Sequence, residues 1–278
     1  MKAISHRLAS RVKHLRRNGF SYKEIAEKLP VSVGTSYNYA KDVKVMPAGM
    51  KRLKSRQGNG RPPKEVSIVK ELTVEKTRII SHCLFDVSVI INNGDYVVKY
   101  TNASHGLIRQ FVSGMRKIYG MSPGDIRLYQ GKNHPWWEVM YRSKRVVEDL
   151  LRYSPTYSTS NSVGLPKGIA RKRKFIQTFL RAFWDDEGCI AQSGALTLYS
   201  NSRRLILDAK QLHEKLGIRC SVYRKKSCFV LRVKGGLENL RRFQRKVGFT
   251  ESIIVRGKAI GSKKRAVLAN FLASYKSK

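Results

Sequence analysis

From about residue 68 onward the chain says the same thing twice, at a period near 100 residues, and a duplicated unit limits the fold more than any composition does. In the first copy an apolar helical stretch, TRIISHCLFD, leads into strand patterns SVIIN and YVVKYTN joined at Asn93-Gly94. A helix SHGLIRQFVSGMRKIYG, strands around IRLYQ and WWEVMY, and a helix RVVEDLLRY follow. The second copy runs FIQTFLRAFWDDEG, strands CIAQ and ALTLYSN joined at Ser193-Gly194, helix SRRLILDAKQLHEKLG, strands CSVYR and CFVLRV, and helix LENLRRFQRKVG. The order is αββαββα in both, and Tyr100-Thr101-Asn102 is answered by Tyr199-Ser200-Asn201. This predicts an α+β fold of two pseudo-symmetric halves, residues 68–165 and 166–255. Each is a four-stranded antiparallel sheet with helices on one face and the other face free, and the pair forms a saddle.

Charge says what the free faces meet. Lys and Arg number 56 against 19 Asp and Glu, a formal +37, which attracts a polyanion and strains the compact state without one. Nucleic acid fits. A hydrophobic content of 41% with 9% aromatics sets disorder aside, and no apolar run approaches the ~18 residues of a membrane span. With no convincing lipid-anchor motif and no convincing basic amphipathic helix bearing exposed Trp or Phe on its other face, no membrane partner is expected. On the second strand of each copy Lys99, Thr101, Thr197 and Tyr199 alternate toward the free face, where they reach a groove, and Arg224, Lys225 and Lys226 join this DNA-binding set. The four cysteines stand singly, without metal-site spacing, and are expected to be small buried hydrophobes with reduced thiols. MKAISHRLAS lacks the apolar core of a secretion signal, which predicts an intracellular, nucleoid-associated protein, or an organellar one in a eukaryote.

Residues 1–44 form a separate helical pattern. Leu8, Val12 and Leu15 line one face of a first helix, Ser21 with Glu24 makes a capping box for a second, and Ser32 starts a third after Pro30. The stretch GFSYKEIAEKLPVSVGTSYNY resembles the helix-turn-helix of resolvases and transposase-type binders. That resemblance makes the third helix the recognition helix, with Ser32, Thr35, Ser36, Asn38 and Tyr39 as its reading residues. Residues 45–67, rich in Lys, Arg, Gly and Pro, read as a basic linker. Its Arg61-Pro62-Pro63 end is either half of an AT-hook lying in a minor groove or a solvated spacer. Residues 256–278 form a basic tail in which Val267, Leu268, Phe271 and Leu272 dock one helical face.

Within the duplication, Leu180-Arg181-Ala182-Phe183-Trp184-Asp185-Asp186-Glu187-Gly188 resembles the motif of the LAGLIDADG homing endonuclease family, single-chain type. Ile79-Ile80-Ser81-His82-Cys83-Leu84-Phe85-Asp86-Val87 is similar to its degenerate first copy. The resemblance implies two motif helices side by side on the pseudo-twofold axis, with Ser81 and Ala182 as the small residues at their crossing. It also implies one carboxylate from each, Asp86 and Glu187, at the scissile phosphates. Acids at helix C-termini are disfavoured by the macrodipole by ~0.3 to 1 kcal/mol, so two brought together call for a cation; Mg2+, or Mn2+, is the implied metal. Arg142 and Lys234, just after the last strand of each copy, stand where the family carries an active-site Lys. Asp185 and Asp186 fall at non-ligand positions and read as capping or solvated acids. Trp136, Trp137 and Trp184 read as core and interface anchors. The first copy departs from the motif at Val87, which predicts a different turn, and at Phe85, which predicts a wider or asymmetric axis.

Three activities are compatible with these residues. One is a site-specific endonuclease cutting both strands of double-stranded DNA with a divalent metal, a monomer being sufficient because both motifs share one chain. The others are a non-catalytic DNA-binding regulator on the same scaffold and an RNA maturase that binds structured RNA for intron splicing.

Overall fold

A computed structural model describes residues 4–57, 66–122, 127–130, 136–157, 163–255 and 261–275. The chain divides into two compact units, residues 1–64 and 65–278.

The first unit holds α1 (His6–Arg17), α2 (Tyr22–Lys28), α3 (Val33–Ala40) and α4 (Pro47–Gln57). Each of the first three starts where a hydroxyl accepts from the helix's orphan amides: Ser5 from Leu8, Ser21 from Glu24 and Ser32 from Thr35. The Ser21–Glu24 capping box is complete in both directions. Val12, Ile25, Leu29 and Ala40 form the buried centre, with Leu8, Leu15 and Phe20 packed on it. The linker reading is corrected over α4. Pro47 fits a first helical turn, and the helix docks by means that apolar periodicity does not register. The Arg52 guanidinium lies 3.5 Å over the Phe20 ring and 3.5 Å from Glu24. Gly49 meets the α1 terminus so closely that a Cβ there would sit 2.7 Å from the Arg17 carbonyl oxygen.

The second unit realises the duplicated pattern. The first copy is α5 (Val74–Cys83), β1 (Val87–Asn92), β2 (Asp95–Asn102), α6 (His105–Tyr119), β3 (Arg127–Gln130), β4 (Trp137–Arg142) and α7 (Lys144–Leu151). The second is α8 (Arg173–Asp186), β5 (Gly188–Ile190), β6 (Leu196–Ser200), α9 (Arg203–Lys215), β7 (Cys220–Lys225), β8 (Cys228–Val233) and α10 (Leu237–Lys246). Both sheets are antiparallel, ordered β1-β2-β4-β3 and β5-β6-β8-β7. Asn93 (φ 45°) and Gly94 (φ 85°) make the left-handed pair a two-residue hairpin needs. Val98, Tyr100, Leu196 and Leu198 face the core, while Lys99, Thr101, Thr197 and Tyr199 alternate to the half-exposed face as expected.

Two buried polar arrangements tie helices to this core. The Lys76 ammonium on α5 contacts Asp149 on α7 at 2.6 Å and donates to the Val69 carbonyl at 2.6 Å, and the Tyr119 hydroxyl donates to Asp149 at 2.9 Å. In the second copy the Trp184 indole donates to His213 Nε2 at 2.9 Å, and His213 Nδ1 donates to the Ala209 carbonyl at 2.7 Å. Burial therefore pushes the His213 imidazole down to about 4, with the Ala209 bond and Glu214 opposing. A depressed folded-state pKa contributes stability that is complete above the unfolded value near 6.5 and is lost as pH falls toward 4. We expect the unfolding free energy from urea titrations to fall across that window, by up to about 3 kcal/mol from this group, and His213→Met to flatten that slope; an unchanged slope would contradict the burial.

Residues 264–274 of the basic tail form α11 (Lys264–Ser274), which caps the second half, with Leu268 and Leu272 buried and Val267 and Phe271 packed on the core. Of the cysteines, Cys83 and Cys220 are buried as expected, but Cys189 is exposed and Cys228 half-exposed, because their strand positions turn away from the core. No described helix is long and apolar enough to cross a membrane.

Candidate active site and nucleic-acid interface

The motif helices α5 and α8 pack on each other with Ser81 and Ala182 buried. The Ser81 hydroxyl is turned inward onto the Thr77 carbonyl at 2.7 Å, so both crossing residues are effectively small. The two helices touch through the fourth and seventh positions of the motif, in both directions. In one direction His82 Nδ1 meets Asp186 Oδ2 at 2.7 Å, and in the other the Phe85 and Phe183 rings stack at 4.1 Å. The axis is asymmetric in chemistry, as Phe85 predicted. The different turn at Val87 also holds: Val87 starts β1 directly, paired with Tyr100, and no left-handed residue is used there. In the other copy Gly188 is required by contact, since a Cβ would lie 2.5 Å from the Trp184 ring and carbonyl oxygen.

Asp86 leaves the end of α5 and Glu187 caps α8, both half-exposed. Asn102 Nδ2 donates to Asp86 Oδ2 at 2.7 Å and lies 3.4 Å from the Tyr100 hydroxyl, which donates to Asp186 Oδ1 at 3.3 Å. One polar chain thus runs from Asp86 through Asn102, Tyr100 and Asp186 to His82, across the axis. Burial works against a charged His82, but Asp186 with its hydrogen bond, and then Asp185 and Asp86, outweigh it and raise the imidazole's pKa. Burial first, and then Asp186 and Asp86, hold the Tyr100 hydroxyl well above its ordinary range.

The reading of Asp185 and Asp186 as capping or solvated acids is corrected. Asp186 has no side-chain exposure and is consumed by His82 and Tyr100. Asp185 is buried and accepts from the Thr250 amide at 2.9 Å and hydroxyl at 2.5 Å; burial pushes it up to about 6 against those bonds. Helix α8 is closed by Lys264, whose ammonium donates to the carbonyls of Trp184 (3.1 Å), Asp185 (2.9 Å) and Gly188 (2.6 Å).

Arg142 and Lys234 are placed elsewhere. Val139 is level with Tyr100 and Val87, so Arg142 lies three positions further along β4, beside Val97, and its guanidinium meets Asp95 at 3.1 Å. Lys234 likewise lies three positions beyond Leu231, which is level with Gly188 through Leu198. Each is roughly 10 Å along the sheet from its acid, because the fourth strand runs away from the motif helix.

The other predicted residues divide. On α3, Ser36 is buried with its hydroxyl on the Ser32 carbonyl (3.1 Å), Ser32 and Thr35 hydroxyls bond each other (2.9 Å), and Tyr39 packs on the small core. Asn38 is exposed as expected. Lys99 pairs with Glu138 at 2.8 Å across Thr101's neighbouring strand, and the Thr197 hydroxyl donates to Tyr199 at 3.3 Å. Arg224, Lys225 and Lys226 are all exposed at the β7–β8 hairpin, with Arg224 on the face of Cys220 and Val222, opposite to Lys225. Arg61 lies outside the described residues.

Among the described residues no cluster of three or more His, Cys, Asp and Glu is grouped as a metal site. Asp86 and Glu187 each offer hard carboxylate oxygens, the donor type that Mg2+ or Mn2+ takes alongside water and phosphate, and Asn102 fixes the orientation of the Asp86 carboxylate. Sequence reasoning misses Asn102, Tyr100, His82 and Lys264, which the structure places around the motif ends; the Tyr-x-Asn echo between the copies marks the first two, and no local pattern marks the others.

The family described as LAGLIDADG-like domain matches residues 174–248. No curated protein sequence matches the chain. Similar solved structures include I-DmoI in complex with DNA and Mn, at 14% identity, a TM-score of 0.47, and 63% of this chain over 98% of that one. The homing endonuclease I-WcaI bound to its DNA recognition sequence is similar at 12% identity and a TM-score of 0.46, with 74% and 94% covered. The N-terminal LAGLIDADG domain of DUF199/WhiA is similar at 10% and 0.41, with 64% and 86% covered. The second copy, residues 174–248, is thus a LAGLIDADG-like domain, and the first copy repeats its αββαββα order.

Proposed function

We propose that the chain is a site-specific DNA endonuclease of the homing type, hydrolysing both strands of a duplex with a divalent metal held by Asp86 and Glu187. The observation that carries this reading is the pair of half-exposed acids at the ends of two packed motif helices in a chain of charge +37. Mg2+ or Mn2+ bound there would supply a water of lowered pKa and offset charge on the leaving oxygen. Asn102 holds the Asp86 carboxylate in one orientation, and the Phe85–Phe183 stack keeps the helix crossing closed behind it. The alternating faces of β2 and β6 track the flanking grooves, and residues 1–57 add a second contact with the same duplex. Both acids are in one chain, so a monomer suffices.

A second reading, a DNA-binding regulator without cleavage, draws on the engagement of Asp86 by Asn102 and on the remote placement of Arg142 and Lys234. A cleavage selection separates the two: a randomised duplex pool is incubated with Mg2+ and its new ends are sequenced. Defined paired ends establish the endonuclease; selective binding without ends establishes the regulator. Either reading requires extensive phosphate contact, so log K should fall with log salt with a slope steeper than about −6, and a shallow slope would remove both.

A further inference from the structure

The outer face of α3 is less polar than its sequence suggests: Ser36 is buried, the Ser32 and Thr35 hydroxyls at the exposed helix start bond each other at 2.9 Å, and Asn38 is its exposed amide. What points outward at its start is Val33, 49% exposed, and one turn on, Tyr37, 51% exposed. The two lie one above the other on one stripe, and the Tyr22 ring holds Tyr37 from behind, edge-on at 5.3 Å between centroids. Gly34 beside them leaves open ground, since a Cβ there would meet only Ser32 Oγ at 3.9 Å. An isolated exposed valine is ordinary. A rigid apolar pair at the head of the helix is different here, because residues 1–64 carry sixteen Lys and Arg against three Asp and Glu. Arg7, Arg11, Lys13, Arg17, Lys23, Lys28 and Lys41 are all exposed. The centre of a protein interface is depleted in such charge, whereas a duplex presents phosphates around a groove whose one apolar feature is the C5-methyl group of thymine.

We infer that Val33 and Tyr37 are specificity-determining residues that read thymine methyl groups in the major groove. This rests on the DNA reading of the N-terminal unit and deepens it, by naming the base chemistry selected.

The test uses the full chain and its selected duplex, with each thymine replaced singly by deoxyuridine, which removes the methyl and nothing else. We expect one or two neighbouring positions at which uracil weakens binding about three- to tenfold. Val33→Ala or Tyr37→Ala should bind the thymine duplex more weakly by a similar factor and become indifferent to uracil there. Both side chains are exposed, so neither variant threatens the fold. Uracil without effect at every position, or sensitivity that survives in both variants, would overturn the inference. A triple Arg7→Gln, Arg11→Gln, Lys13→Gln variant separates the two levels. If it binds as tightly as the wild type with an unchanged salt slope, the DNA reading of the unit fails and takes this inference with it. If it binds more weakly while uracil has no effect, the DNA reading stands and only the thymine inference falls.

Discussion

Asp86→Asn and Glu187→Gln should each lower the rate of duplex cleavage by about a thousandfold or more while duplex affinity stays within about tenfold. The two acids contribute little of the grip, which a chain of charge +37 draws from phosphate contacts, so removing one negative charge leaves binding intact or strengthens it slightly. Their loss falls on the transition state, where charge must be stabilised and a water activated. Asn102→Leu should be milder, about 10- to 100-fold in rate, because it removes the 2.7 Å bond that orients Asp86 and leaves the carboxylate in place. Single-turnover cleavage on the selected site, with binding measured beside it, decides the matter. If both acid variants lose affinity as steeply as rate, the residues serve folding, and the catalytic assignment fails.

The largest stability effect should come from the buried pair Lys76–Asp149. Lys76 is 0% and Asp149 2% exposed, and the pair also satisfies the Val69 carbonyl and the Tyr119 hydroxyl. Asp149→Ala leaves an ammonium in the core without its counter-charge, and Lys76→Met does the converse; each should cost about 3 to 5 kcal/mol. Replacing both, Lys76→Met with Asp149→Leu, should cost clearly less than the sum, because two apolar side chains leave no buried charge behind. Urea midpoints of the four proteins measure the coupling directly. Single losses below about 1 kcal/mol, or strict additivity, would mean that the pair is solvated in the native protein.

How much of this was legible depended on the range over which each residue finds its partner. The repeat, the hairpin at Asn93-Gly94, the capping box at Ser21 and the alternation of β2 and β6 are local patterns, and all of them stand in the structure. Helix α4 is hidden because its docking uses an arginine on a ring and Gly49 against the end of α1, neither of which leaves an apolar period. The His82–Asp186 contact spans 104 residues, and nothing near either residue announces the other. Arg142 and Lys234 stand away from the motif ends, which their position after the last strand does not reveal, because it says nothing of where that strand ends. The order β1-β2-β4-β3 sends it back toward the hairpin, away from the acid. The hydroxyls of α3 were legible as polar, but their use inside the helix was not.

The doubled contact between the motif helices fixes more than a geometry. One direction pairs an imidazole with a carboxylate and the other stacks two phenyl rings, so the contact is satisfied only when one helix supplies His82 and Phe85 and the other Phe183 and Asp186. Two first halves would set an imidazole against a phenyl ring twice; two second halves would bury a carboxylate against a phenyl ring twice, an uncompensated charge at each. The two halves have therefore become a matched lock and key. Neither can stand in for the other, and a half grafted in from a relative would have to bring a complementary pair at these two positions or receive one.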